Sequence, residues 1–192
     1  MADAIVQSRV PSPKRIWIVG PSGSGKSTLA RQVAARLGVE ATSLDDLHWE
    51  PGWVERPLDD LIERLRPIVA RPTWVIEGGY SKTHPHYMPL AELVVWLDTP
   101  ISTTVSRVVL RTISRSIRGT PCCNGNRESL SRALLRRDSI ILWAITSHRR
   151  NRRNYAQRLA RRAHVRLRTP YAVRRWLATV GVDSVAAHGR RT

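Results

Sequence analysis

Eight residues, Gly20-Pro21-Ser22-Gly23-Ser24-Gly25-Lys26-Ser27, carry the plainest chemistry in this chain of 192 residues. They fit the pattern G-x-x-x-x-G-K-[ST], whose glycines let backbone N–H groups turn inward around phosphate oxygens. The pattern assigns Lys26 to the β and γ phosphates of a nucleoside triphosphate and Ser27 to its Mg²⁺, with Thr28 in reach of the α-phosphate. A chance glycine loop would have no particular neighbours. This one follows a short apolar run, Arg15-Ile16-Trp17-Ile18-Val19. It precedes Leu29, Ala30, Val33, Ala34 and Leu37, which repeat at helical spacing. Strand, loop and helix are the order the mechanism needs, because the new helix adds its positive dipole end to the site.

Three more apolar runs end in polar clusters. Glu40 to Leu44 leads into Asp45-Asp46, Thr73 to Ile76 into Glu77-Gly78-Gly79-Tyr80, and Leu93 to Leu97 into Asp98-Thr99-Pro100. Between them Leu58, Leu61, Ile62, Leu65, Ile68 and Val69 mark an amphipathic helix. Further helix is expected from about 101 to 117 and, after a turn-rich break at 119–126, along an Arg-rich stretch from about 128 to 161. A last strand at 164–168 and a closing helix stripe at Val173, Trp176, Leu177 and Val180 complete the pattern. Continuous apolar strands alternating with helices predict a parallel sheet covered on both faces. Ligands of such sheets sit at the carboxyl ends of the strands, where these clusters fall. Glu77 is then a candidate to hold a water of the Mg²⁺ shell, with a salt bridge to an arginine as the plainer role. Gly78 would let the backbone pass close to a substrate.

Composition narrows the class without choosing the ligand. Hydrophobic residues make up 42% and charged residues 24%, as in an ordinary globular domain. There is no Phe but there are seven Trp, so indole takes the large-aromatic role in the core. The longest apolar run, Ile140 to Ile145, is far too short to span a bilayer, and no membrane contact is expected. A soluble, cytoplasmic protein of one domain over 1–192 is the reading, with 1–13 and 182–192 as loose tails. The adjacent Cys122 and Cys123 read as two reduced thiols on a loop. The net charge of +17 is concentrated: residues 101–168 hold seventeen Arg and no Lys against Glu128 and Asp138, a net of +15. Such a field attracts polyanions, so nucleic acid is a candidate partner of this segment beside nucleotides.

The run Leu44-Asp45-Asp46-Leu47-His48-Trp49-Glu50-Pro51-Gly52-Trp53 resembles the L-D-x-L-x-W-x-P-G-W of the DNA topology modulation proteins, a group of adenylate-kinase-like P-loop kinases. Trp74-Val75-Ile76-Glu77-Gly78-Gly79-Tyr80 is similar to their W-I-[IV]-[DE]-G-N-Y, with Gly79 where Asn is commoner. Leu97-Asp98-Thr99-Pro100 and the pair Arg107 and Arg111 continue the likeness, which runs from about Ile16 to Leu177. The resemblance implies an α/β fold, a P-loop NTPase three-layer sandwich with a five-stranded parallel sheet and a short Arg-rich lid at about 115–153. It implies an ATP- and Mg²⁺-dependent phosphotransferase acting on an unidentified small acceptor. The D-G-[FY]-P-R form of true adenylate kinases is absent, so AMP specificity does not carry over.

The resemblance also assigns roles, each beside a plainer one. Asp45 falls at the acceptor site, where it would orient or deprotonate an attacking hydroxyl; Asp at a strand end is equally a turn or cap residue. Arg107 would stack on the base and Arg111 touch phosphate, or both belong to a solvated basic face. Arg118 and Arg149 are the lid arginines expected to close over the phosphates. Thr169 and Pro170 would line the adenine pocket by backbone contacts. His48, Trp49 and Trp53 form an acceptor wall or a small aromatic core under a loop. The alternative function is an ATP-binding protein that associates with nucleic acid through its arginines, with slow or no phosphotransfer.

Overall fold

In the computed structural model, residues 12–127 and 140–181 are described. Five parallel strands, β1 (Arg15–Val19), β2 (Ala41–Ser43), β5 (Trp74–Glu77), β6 (Leu93–Leu97) and β9 (His164–Leu167), form one sheet in the order β2-β5-β1-β6-β9. The expected strands are therefore all present. The alternation of β1 shows why the runs are apolar throughout. Ile16 and Ile18 pack with Leu29, Ala30 and Val33 of helix α1 (Lys26–Leu37) on one face. Trp17 and Val19 pack on the other with Leu44, Leu65, Tyr87 and Leu159. Both faces are covered, so the architecture is a three-layer α/β sandwich.

The second layer is built from α3 (Leu58–Val69), the short α4 (His84–Tyr87) and the long α6 (Ile140–Leu159), which follows α5 (Ile101–Arg118). A closing helix, α7 (Pro170–Leu177), joins α1 on the first face, where Leu177 enters the same core. The Arg-rich helix is thus found over 140–159, and the part expected before residue 140 lies outside the described residues. The same holds for the proposed tails except residues 12 and 13.

Several small elements, the short α4 among them, were not foreseen. Asp45 and Asp46 do not end a strand in a turn; they open a short helix, α2 (Leu44–His48), whose N-cap Ser43 accepts from the Asp46 N–H at 3.4 Å. Acidic residues in a first helical turn complement its dipole, which is why the pair suits this place. Trp49–Glu50 (β3) and Val54–Glu55 (β4) make a hairpin, and Pro121–Cys122 (β7) and Asn126–Arg127 (β8) make a second. One side chain joins the two hairpins. Asn126, 4% exposed, donates to the carbonyls of Glu50 (2.8 Å) and Cys123 (2.7 Å) and accepts from the Trp53 N–H (2.9 Å). Trp53 sits at φ +63°, a costly place for a large side chain, and its indole N–H is tied to the Arg127 carbonyl at 3.2 Å.

Asp98, grouped by sequence with the ligand-facing clusters, is committed to structure. Its carboxylate, 5% exposed, meets Arg166 at 2.6 Å, Arg152 at 3.1 Å and Arg168 at 3.3 Å. Arg166 also lies 4.2 Å over the Trp96 ring. The carboxylate therefore pins α6 and the end of β9 to the end of β6. Asp98→Ala is expected to lower stability by about 2 kcal/mol, less than a fully buried pair would give because the arginines are partly solvated. The urea midpoint measures it, and a midpoint equal to that of the parent protein would show the cluster to be a surface convenience.

Candidate active site

The glycine loop connects β1 to α1 and is held by close packing. A Cβ on Gly20 would stand 2.6 Å from the Leu97 carbonyl oxygen, and one on Gly23 would stand 2.5 Å from the Thr104 carbonyl oxygen. No side chain fits at either place, which explains two of the loop glycines by contact. The second approach also seats the first turns of α5 on the loop. Arg107, exposed, and Arg111, half-buried, then share a cleft with Gly20, Ser22, Gly23, Gly25, Lys26, Ser27 and Thr28. Lys26 donates from Nζ to the Pro21 carbonyl at 3.1 Å, and the same carbonyl accepts from the Ser24 N–H at 3.2 Å. Ser24 itself is buried beneath the loop.

Parallel pairing brings Glu77 to the loop. Its register partner is Ile18 on β1, so the end of β5 lies beside the residues that open the loop. Its Oε1 accepts from the Ser27 hydroxyl at 2.9 Å, while Oε2 is buried without a hydrogen-bond partner. Burial raises the Glu77 carboxyl above the usual range, and the nearby Lys26 charge opposes the rise. A hydroxyl and a carboxylate side by side, with one buried oxygen unsatisfied, are a donor set suited to a hard divalent cation. Ser27 and Glu77 fit Mg²⁺ on this ground.

Across the cleft, of about 1600 Å³, stand Asp45, Asp46, His48, Trp49 and Trp53 together with Gly78 and Tyr80. Asp45 is exposed at the start of α2 and is oriented by Tyr80, whose hydroxyl donates to Oδ1 at 2.9 Å. Burial, then the Asp45 charge, pushes the Tyr80 hydroxyl far above its ordinary range, so it stays a donor. His48 stacks on the Tyr80 ring at 4.1 Å, and burial lowers its pKa against the pull of Glu55 and Asp45. The wall is thus aromatic with one carboxylate held in front of it.

The arginines expected over the phosphates are distributed differently from one another. Arg118 is exposed at the end of α5 and is not among the residues lining the cleft; the side chain of Arg149 lies outside the described part of α6. Arg115, Arg150 and Arg158 line it. Thr169 caps α7, accepting from the Ala172 N–H at 3.1 Å, and Pro170 is its first residue; neither lines the cleft. Residues that sequence reasoning missed come mostly from α6. Asn151, Asn154, Tyr155 and Arg158 recur at helical spacing on one face, and all four line the cleft. That periodicity was visible, but it was hidden among many arginines.

A family model described as an AAA domain matches residues 16–176. The chain belongs to this AAA-domain family. Among curated proteins, the shikimate kinase of Halorhodospira halophila (strain DSM 244 / SL1) is 32% identical over 117 residues, covering 50% of this chain and 63% of that protein. The bifunctional pantoate ligase/cytidylate kinase of Synechococcus sp. (strain JA-2-3B'a(2-13)) is 36% identical over 85 residues, or 41% of this chain and 16% of that protein. The matches therefore span less than two thirds of the length of these relatives. Two solved structures share the fold of this AAA-domain protein. The shikimate kinase from Acinetobacter baumannii in complex with shikimate has a TM-score of 0.53 at 17% identity, over 92% of this chain and 94% of that one. The gluconokinase from Sinorhizobium meliloti 1021 has 0.51 at 18%, over 93% and 96%. No helix among the described residues is long and apolar enough to cross a membrane.

Proposed function

We propose that the protein is an ATP- and Mg²⁺-dependent phosphotransferase that moves the γ-phosphoryl group to a hydroxyl of a small acceptor. One observation carries the reading. The loop residues Lys26 and Ser27, with Glu77, line the same cleft as an exposed carboxylate, Asp45, that Tyr80 holds in place. The kinase names of the relatives agree with it. The backbone of the loop and Lys26 bind the triphosphate, and the arginines lining the cleft offset charge spreading over the transferred group. Mg²⁺, held by Ser27 and through Glu77, would neutralise the β and γ oxygens. Asp45 orients the acceptor hydroxyl and takes its proton as the new O–P bond forms and the bond to the β-phosphate oxygen breaks, leaving ADP. Arg118 and Arg149, as lid arginines, would close over the phosphates.

The finer likeness to the DNA topology modulation proteins rests on the Leu44–Trp53 and Trp74–Tyr80 runs, Leu97–Pro100 and the pair Arg107 and Arg111, and it points to the same chemistry. The second reading, association with nucleic acid, rests on the +15 of residues 101–168. Five of its seventeen arginines have internal partners: Arg152, Arg166 and Arg168 on Asp98, Arg158 on His84, and Arg162 on the Met88 carbonyl. It therefore ranks second. Incubation with γ-labelled ATP, Mg²⁺ and a panel including shikimate, gluconate and cytidylate is expected to give acceptor-dependent label transfer. A sample that binds ATP yet labels no acceptor, and binds DNA with a steep salt dependence, would reverse the order of the two readings.

A further inference from the structure

Gly78 and Gly79 follow Glu77, and they differ in why they are glycine. Gly78 has φ +100°, a conformation other residues rarely adopt, and its carbonyl accepts from the Trp17 indole N–H at 2.8 Å. Gly79 has no such backbone demand, for its φ lies outside the left-handed region. What matters at Gly79 is the missing side chain. A Cβ there would stand 3.0 Å from the Tyr155 hydroxyl and 3.4 Å from His84 Nε2, with the Trp17 ring at 3.9 Å. Gly79, His84 and Tyr155 all line the cleft that holds Asp45.

His84 makes this bare spot chemically specific. The residue is 6% exposed, and Arg158 donates to its Nδ1 from the far side of the ring. Arginine has only donors, so Nδ1 is the acceptor nitrogen and Nε2 carries the hydrogen. That N–H is buried with no hydrogen-bond partner. Burial, then the Arg158 charge, lowers the His84 pKa to about 4, so the ring stays neutral and the tautomer fixed. Trp17 and Tyr87 pack edge-on against the ring, at 5.0 Å and 5.8 Å between centroids. Leaving a buried N–H without an acceptor costs the desolvation of that group, and a ligand oxygen would relieve that cost.

We propose that Gly79, His84 and Tyr155 form a subsite for a small oxygen hydrogen-bond acceptor (a hydroxyl, carbonyl or carboxylate oxygen) on the phosphate acceptor. The oxygen rests against the bare Cα of Gly79 and receives hydrogen bonds from His84 Nε2–H and Tyr155 O–H. The Arg158 charge behind the imidazole polarises the donor toward it. This subsite rests on the kinase reading for the identity of its ligand as an acceptor, and it selects which hydroxyl of that molecule faces Asp45. The class it favours is a small polyoxygenated molecule, with the reacting hydroxyl and an anchoring oxygen on different atoms.

The test follows the His84 Nε2–H by NMR in the full chain carrying ¹⁵N-histidine, with a non-hydrolysable ATP analogue and Mg²⁺ bound. Shikimate, gluconate and cytidylate are added in turn. The expected result is a saturable shift of the His84 signal with at least one probe. Gly79→Ala, whose methyl occupies the subsite, should weaken that probe by about tenfold or more. The ATP analogue should bind both proteins within about twofold, which shows the variant folded and the donor half intact. A probe that binds the parent protein and Gly79→Ala equally would overturn the subsite and leave the kinase reading standing. So would a His84 signal that no probe moves in a protein that binds the analogue. Failure of the analogue to bind the parent protein would instead strike at the kinase reading.

Discussion

Lys26→Ala is expected to weaken nucleotide binding by about two orders of magnitude without unfolding the protein. A lysine that meets two phosphates makes charge-assisted hydrogen bonds worth about 1.5–3 kcal/mol, and losing them leaves phosphate charge unneutralised in a low-dielectric cleft. The fold has little at stake. Lys26 is the first residue of α1, where alanine is a good helix former, and among the described residues its side chain bonds to the Pro21 carbonyl. That carbonyl keeps its bond from the Ser24 N–H. Calorimetric titration with an ATP analogue and Mg²⁺ measures the loss, and a circular dichroism melt shows whether the variant is folded. A folded variant that binds the analogue as tightly as the parent protein would remove the glycine loop from the site.

How much of this could be read from the residues depends on the range of each interaction. The glycine loop was legible because its chemistry is local: eight consecutive residues carry both the cradle and the cation. The sheet was legible because β1, β5 and β6 are buried on both faces and so are continuously apolar. The position of Glu77 at a strand end was legible for the same reason, and the parallel register sets that end beside the loop. The place of Asp45 after β2 was legible, but its element was not: the helix α2 is only five residues long, too short for a periodicity to show. Asp98 looked like its neighbours in type and position, and only the fold shows three arginines closing on it. The Asn126 bridge was out of reach of sequence, because its partners in the other hairpin lie 73 and 76 residues away. The α6 face carrying Tyr155 and Arg158 was obscured by composition, since one arginine in seventeen gives no sign of which one turns inward.

Asp45 gives the second large effect, and its partner decides how to test it. The carboxylate accepts the Tyr80 hydrogen bond through Oδ1, so a structural role and a chemical role must be separated. Asn at this position keeps an oxygen for Tyr80 and removes only the charge and the proton affinity. Asp45 is exposed, so the substitution leaves no buried charge unpaired. If Asp45 orients the acceptor hydroxyl and receives its proton, Asp45→Asn lowers kcat for phosphate transfer by about 10²–10⁴, the usual worth of a positioned base. The KM for ATP should stay within about threefold, because the residue acts on the acceptor side alone. Tyr80→Phe should fall between the two proteins, since it leaves the carboxylate in place but free to turn. The order of the three rates carries the argument. A turn carboxylate would give Asp45→Asn the rate of the parent protein. A carboxylate that merely holds Tyr80 would make Tyr80→Phe the more damaging of the two, since asparagine keeps that bond. Only a reacting carboxylate makes the asparagine variant much the slower of the two.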